Sequence, residues 1–93
     1  MVVDDAYAEY MKNVDYKEIL FEVKDDTAWI TINRPEVLNA FREQTLDELI
    51  HAVKSTREDS SLVAAVITGA GDRAFSSGGD FHAMMKLNRA NAL

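Results

Sequence analysis

Residues 68–80 read Thr-Gly-Ala-Gly-Asp-Arg-Ala-Phe-Ser-Ser-Gly-Gly-Asp, directly after the apolar run Leu62-Val63-Ala64-Ala65-Val66-Ile67. A buried strand that runs into a glycine-rich bend, with a helix opening beyond it, can leave backbone N–H groups aimed at a ligand. Such donors favour negative charge, on a phosphate or on an oxyanion formed during reaction. A second stretch carries similar promise: Asn33-Arg34-Pro35-Glu36-Val37-Leu38-Asn39-Ala40-Phe41 follows another strand-like run. In an open α/β sheet, ligands lie outside the carboxyl ends of the strands, so one ligand could lie across both loops. Taken alone, the glycine loop is equally well read as a tight strand-to-helix turn with no ligand.

The elements that must position these loops follow from the pattern. Residues 4–14 have Ala6, Tyr7, Tyr10 and Met11 on one face of a possible short helix. Ile19 to Val23 and Ala28 to Ile32 read as strands, joined by Lys24-Asp25-Asp26-Thr27, a polar connection of hairpin length. Trp29 and Thr31 point one way, Ile30 and Ile32 the other. Pro35 ends the second strand and biases Arg34 to an extended backbone. A helix is predicted from about Thr45 to Arg57. Thr45 and Glu48 fit a capping box, and Leu46, Leu49, Ile50 and Val53 form the apolar stripe. The β-branched run 62–67 reads as a strand buried on both faces. Phe81 to Ala90 reads as a further helix with Asp80 as its N-cap. The order β, β, α, β, glycine loop, α implies a parallel pair joined by a crossover. A parallel sheet expects helices on both faces. One long helix cannot supply them, so the chain reads as the start of a larger α/β domain.

Composition narrows the functions. The chain has 93 residues, 47% of them hydrophobic and 28% charged, enough for one small globular domain. The formal net charge is −6, which argues against a non-specific nucleic-acid partner. There is no cysteine, so disulfides and thiolate metal sites are excluded, and no metal site is expected. No apolar run approaches the ~18–20 residues that cross a membrane, so no membrane partner is expected either. The acidic start Met-Val-Val-Asp-Asp lacks a signal pattern, which makes a cytoplasmic location the default expectation.

Asn-Arg-Pro-x-x-x-Asn-Ala-Phe, a long helix, and then Ile-Thr-Gly-Ala-Gly-Asp-Arg-Ala-Phe-Ser-Ser-Gly-Gly-Asp together resemble the crotonase superfamily, the enoyl-CoA hydratase/isomerase family. The likeness runs over residues 17–85, with both motifs in the family's order and spacing. Gly-Gly-Asp after Ala-Phe-Ser-Ser looks most like the branch of dihydroxynaphthoyl-CoA synthase and 2-ketocyclohexanecarboxyl-CoA hydrolase.

The resemblance implies the N-terminal portion of a crotonase-like ββα spiral over residues 17–93, preceded by an extension over residues 1–16. It implies that the N–H of Gly79 is one of two oxyanion-hole donors for a thioester enolate, the other coming from a later glycine-rich segment. Ser77, Gly78, Asp80 and Phe81 match positions that line the acyl-CoA. Leu38 and Ala40 match the loop that folds over the pantetheine and adenine end. The implied partner is an acyl-CoA thioester. No cofactor is expected beyond the CoA of the substrate, and a homo-oligomer, trimer or hexamer, is expected for the complete protein. The general acid and base of the family lie beyond residue 93, so the chain alone is expected to be inactive. The other reading open at this point is a non-catalytic fragment or split-protein subunit.

Two departures stand out. Leu38 takes a position that is often basic in the naphthoyl-synthase branch, where it can meet a CoA phosphate. Phe81-His82 follows Asp80, where that branch often has Gln. His82 is either a general base or, more simply, a first-turn helix residue, and His51 is structural or solvated.

Overall fold

A computed structural model of the chain describes residues 14–80. The expected helices over 4–14 and 81–90 therefore lie almost wholly outside the described residues. Strand β1 (Ile19–Lys24) and strand β2 (Thr27–Ile32) form an antiparallel hairpin. Asp25 and Asp26 make the two-residue turn, with φ of 52° and 60°. Positive φ at both central positions is the geometry that matches the right-handed twist of paired strands, and Asp tolerates it better than most residues. A 3₁₀ turn (Pro35–Val37) follows, then helix α1 (Glu43–Glu58), then strand β3 (Ala64–Gly69). β3 pairs parallel with β2, with Ile30 opposite Ile67, and the strand order is β1-β2-β3. Helix α1 is thus the crossover that a parallel pair requires.

The core lies between the sheet and α1. Ile19, Ile30 and Ala52 are fully buried, and Tyr16, Phe21 and Leu49 pack against them. As the alternation implied, Ala28, Ile30 and Ile32 face inward while Trp29 remains partly exposed. Burying Ile19, Ile30 and Ile32 contributes on the order of 1.5–3 kcal/mol each.

Three expectations need correction. First, α1 begins at Glu43, two residues early, and Thr45 is not its N-cap. Arg42 holds that position, and Thr45 Oγ1 accepts the Arg42 backbone N–H at 3.1 Å. Glu48 does not reach back to the N-cap of its helix, although its Oε2 accepts Gln44 Nε2 at 2.9 Å. Its carboxylate accepts the backbone N–H groups of Lys17, Glu18 and Ile19 at 3.0, 2.8 and 3.2 Å, which fixes the entry into β1. Second, the helix face on the core is Thr45 and Ala52 with Leu49. Leu46, Ile50 and Val53 are exposed. Third, the strand starts at Ala64, and both of its faces are open at that end: Ala64 and Ala65, which point to opposite faces, are exposed, and Ile67 is 42% exposed. The run is apolar as expected, but among the described residues it is covered only in part, with Val66 and Thr68 half-buried. Among the described residues no helix is long and apolar enough to cross a membrane.

Candidate functional site

The two loops meet at the carboxyl ends of β2 and β3. Loop 33–42 begins where the Asn33 N–H donates to Glu18 O at 2.9 Å. Pro35 opens the 3₁₀ turn, a position that needs no N–H. Arg34 has φ −134° and ψ 54°, short of the extended ψ expected before proline. Leu38 (φ 53°) and Asn39 (φ 56°) are both left-handed. For leucine this costs roughly 1–2 kcal/mol, and local hydrogen bonds hold it there. Leu38 N–H donates to Pro35 O at 3.1 Å and Asn39 N–H to Arg34 O at 2.7 Å.

Asn39 joins the loops. Its side chain is buried, and the Oδ1 accepts Arg34 N–H at 2.9 Å. Its Nδ2 donates to Ala70 O at 2.9 Å and Ala74 O at 2.8 Å. The amide therefore uses one acceptor and both donor hydrogens, and ties loop 33–42 to loop 70–80. Ser76 Oγ donates to Asn39 O at 2.8 Å. At Gly69 the second loop folds back so closely that an added Cβ would lie 2.2 Å from Phe75 O, so no larger residue fits there.

The glycine segment then pairs with the first loop through a parallel bridge between Phe41 and Gly79. Phe41 N–H donates to Gly78 O at 2.9 Å, and Asp80 N–H donates to Phe41 O at 2.6 Å. Ser77 N–H donates to Leu38 O at 2.9 Å, and Gly78 N–H to Ser76 Oγ at 3.1 Å. Gly78, at φ 109°, makes the bend. In such a bridge the central residue, Gly79, turns its own N–H and C=O away from the partner strand. Its N–H has no hydrogen-bond partner among the described residues, and Gly79 is exposed. The N–H groups of residues 77, 78 and 80 are occupied, and that of 79 is available.

A charged network underlies the bridge. Arg34 Nη1 donates to Ala40 O at 2.5 Å, and its Nη2 to Asp80 Oδ2 at 3.2 Å. The Nε of Arg34 stands 3.8 Å from Glu18 Oε1. Arg42 Nε donates to Glu18 Oε2 at 2.6 Å, and the Thr45 hydroxyl donates to Glu18 Oε1. The Arg42 hydrogen bond is the main cause that holds the Glu18 carboxyl below its ordinary value. Burial opposes it, and Thr45 and the charges of both arginines add to it.

Of the residues singled out from sequence, Leu38, Ala40, Ser77, Gly78, Gly79 and Asp80 come together at this end of the sheet. Phe81 and His82 lie outside the described residues. Leu38 is partly exposed, whereas Ala40 is buried with its carbonyl held by Arg34. An open cleft of about 90 Å³ separates the loops, walled by Pro35, Leu38, Asn39 and residues 70–74. That is well below the roughly 300–1,000 Å³ of a small-molecule pocket, so these walls alone do not enclose an acyl-CoA. Among the described residues no cluster of His, Asp and Glu could hold a metal ion. Sequence reading missed Glu18 and Arg42. Neither belongs to a local motif, and the side-chain partners of Glu18 lie 16 or more residues away, while Arg42 has Thr45 three residues on and Glu18 far back in the chain.

Comparison with known proteins gives this arrangement its context. The family described as enoyl-CoA hydratase/isomerase matches residues 22–93. The chain belongs to the enoyl-CoA hydratase/isomerase family. Its fold matches the N-terminal part of solved crotonase-fold members. An enoyl-CoA hydratase/isomerase from Xanthobacter autotrophicus Py2 is 39% identical with a TM-score of 0.75, over 80% of this chain and 27% of that one. A probable enoyl-CoA hydratase/isomerase from Mycobacterium abscessus is 36% identical with a TM-score of 0.71, over 74% and 27%. A carnitinyl-CoA hydratase from Mycobacterium avium is 33% identical with a TM-score of 0.72, over 74% and 26%. The chain thus spans about a quarter of the length of these solved members of the enoyl-CoA hydratase/isomerase family.

Proposed function

We propose that this chain supplies one oxyanion donor, the Gly79 N–H, and part of the binding surface for an acyl-CoA thioester. The reaction class is enolate chemistry: hydration, isomerisation, or closure or opening of a ring in a cyclic β-keto-acyl-CoA. One observation carries the reading. The Phe41–Gly79 bridge engages the Gly78 carbonyl and the Asp80 N–H on either side of Gly79 and leaves the N–H of Gly79 itself unpartnered among the described residues. A donor held rigidly toward the place where charge develops needs no reorganisation during reaction, and losing one costs roughly 3–4 kcal/mol in the barrier. The run Gly78-Gly79-Asp80 supports the naphthoyl-CoA synthase branch as the finer assignment. In this reading Ser77, Gly78 and Asp80 line the acyl group, and Leu38 borders the CoA without pairing its phosphates. Phe81 is placed beside the acyl group by resemblance. No cofactor is needed beyond the substrate's own CoA. The second oxyanion donor and the proton-transfer groups come from polypeptide outside residues 1–93, and the complete protein assembles as a trimer or hexamer.

A Gly79→Pro variant of the complete protein tests this, with crotonyl-CoA as the probe. Hydration is expected to fall roughly 10²–10³-fold while CoA affinity changes less than about threefold. Unchanged hydration would sink the oxyanion assignment.

A second reading has its own support. Leu46, Ile50 and Val53 on α1 and both faces of β3 are open, and the chain spans about a quarter of its solved relatives. On that reading the 93-residue chain is a subunit or fragment without activity of its own. Intact mass set against the open reading frame separates the two. A frame that continues with a glycine-rich segment and a carboxylate favours the enzyme, whereas a stop after Leu93 favours the fragment.

A further inference from the structure

The Phe41–Gly79 bridge is only one residue pair wide, too little to hold a loop by itself. What flanks it is the Arg34 guanidinium. One arm takes the carbonyl of Ala40, the residue before Phe41, at 2.5 Å, and the other takes the carboxylate of Asp80, the residue after Gly79, at 3.2 Å. The bridge is therefore gripped on both strands by a single planar group. Arg34 is itself 11% exposed at its side chain, and its third edge faces the buried carboxylate of Glu18. Glu18 in turn is held by Arg42 and Thr45 at the start of α1. The chain of contacts runs from the first turn of the helix, through the start of β1, to the residue beside the free N–H.

We propose that Arg34, backed by Glu18, is a positioning residue that sets where the Gly79 N–H points, by clamping Ala40 O and Asp80 across the Phe41–Gly79 bridge. This rests on the oxyanion reading above. The fork geometry is what the role requires. A guanidinium presents donors in a fixed plane and meets a carbonyl, a carboxylate and a second carboxylate at once, whereas an ammonium is a point charge that cannot span them. Arg34 does not touch the reacting atoms, so its effect passes through the placement of residue 79. A displacement near 1 Å at a reacting centre can cost on the order of 10²-fold in rate.

The test reads the donor itself. Crotonyl-CoA carrying ¹³C at its thioester carbonyl is bound to the complete protein, and the carbonyl stretch is followed by isotope-edited infrared difference spectroscopy. In the parent protein a shift to lower frequency reports the polarised carbonyl. In Arg34→Gln that shift is expected to shrink by more than about half, with kcat down roughly 10–100-fold and KM within about threefold. Arg34→Lys is expected to resemble Arg34→Gln, which a role in net charge alone would not give. A full shift in a folded Arg34→Gln overturns the positioning role and leaves the oxyanion reading standing. No shift in the parent protein overturns both. Should Arg34→Gln fail to fold, Asp80→Asn breaks only the charged arm: a reduced shift supports the clamp, and a full shift overturns it.

Discussion

The loop end of the sheet and its β3 side are built on opposite terms. Loops 33–42 and 70–80 have little regular structure, yet specific polar ties join them, including both hydrogens of the Asn39 amide. β3 is a regular strand with a full ladder to β2, yet its side chains and those of the adjoining α1 stripe stand open. Regularity and fixation are thus separate properties. A ladder satisfies the backbone but does not cover side chains. A loop that must place one N–H needs specific polar ties, and these cost side-chain entropy that a strand does not lose. The difference sets an end fixed by side-chain ties against a side fixed by its backbone ladder alone.

The strongest way to break the organised end is Glu18→Ala. It leaves Arg34 facing an emptied site, and removing one partner of a buried pair costs roughly 3–5 kcal/mol. Urea unfolding of the complete protein would show it, and a loss under about 1 kcal/mol would mean the network is incidental. The same carboxylate gives a pH signature. The Glu18 pKa is lowered by folding, so its contribution is present above the unfolded value, near 4.3, and is lost as pH falls through the folded value. Glu18→Gln is expected to flatten the acid limb of the urea midpoint as pH falls below the unfolded carboxylate value, while lowering stability at neutral pH.

Next in size is Asn39→Ala. It strands the carbonyls of Ala70 and Ala74 and unties one loop from the other, at a cost of about 2–4 kcal/mol. Hydrogen exchange should then quicken at Ser77, Phe41 and Asp80 while β1 and β2 keep their protection. Uniform quickening would show that the loops are not a separate unit.

Much of this contrast was visible in the residues, and the failures have physical reasons. The two loops announced themselves because unusual residues sit close together: Asn, Arg and Pro in one, glycines and a small-polar run in the other. The strands followed from alternation. Glu18 was not legible, because one carboxylate before a strand has no pattern. Its meaning comes from Arg34, Arg42 and Thr45, which only the fold gathers. Thr45 and Glu48 had the right spacing for a cap, but Arg42 and Thr45 have the same spacing and hold it. The stripe Leu46, Ile50 and Val53 was correctly read as apolar, but periodicity says which residues share a face and not what covers it. Leu38 in a left-handed conformation gave no sign, since leucine is not a residue that favours it.

Smaller effects sharpen the comparison. Leu38→Gly is expected to stabilise by up to about 1 kcal/mol, because glycine bears left-handed φ without steric cost. Destabilisation instead would mean that the leucine side chain is packed by something beyond the described residues. On the open side, Val63→Ser is expected to change the stability of the 93-residue chain by less than about 0.5 kcal/mol. In the complete protein the same change is expected to cost about 1 kcal/mol or more if that face is covered there. Equal small effects in both would leave β3 bare in the complete protein too.

The most direct measurement replaces residue 79 by glycolic acid, which turns the amide between residues 78 and 79 into an ester, removes that N–H, and leaves the Gly78 carbonyl a weaker acceptor for the Phe41 N–H. That N–H has no partner among the described residues, so the thermal midpoint of the complete protein should fall only by the small cost of the weakened Phe41 N–H to Gly78 O bond. If the Gly79 N–H is the proposed oxyanion donor, crotonyl-CoA hydration should fall roughly 10²–10³-fold. A markedly lowered midpoint with full hydration would contradict the account, since it would mean that the Gly79 N–H serves the fold and not the substrate.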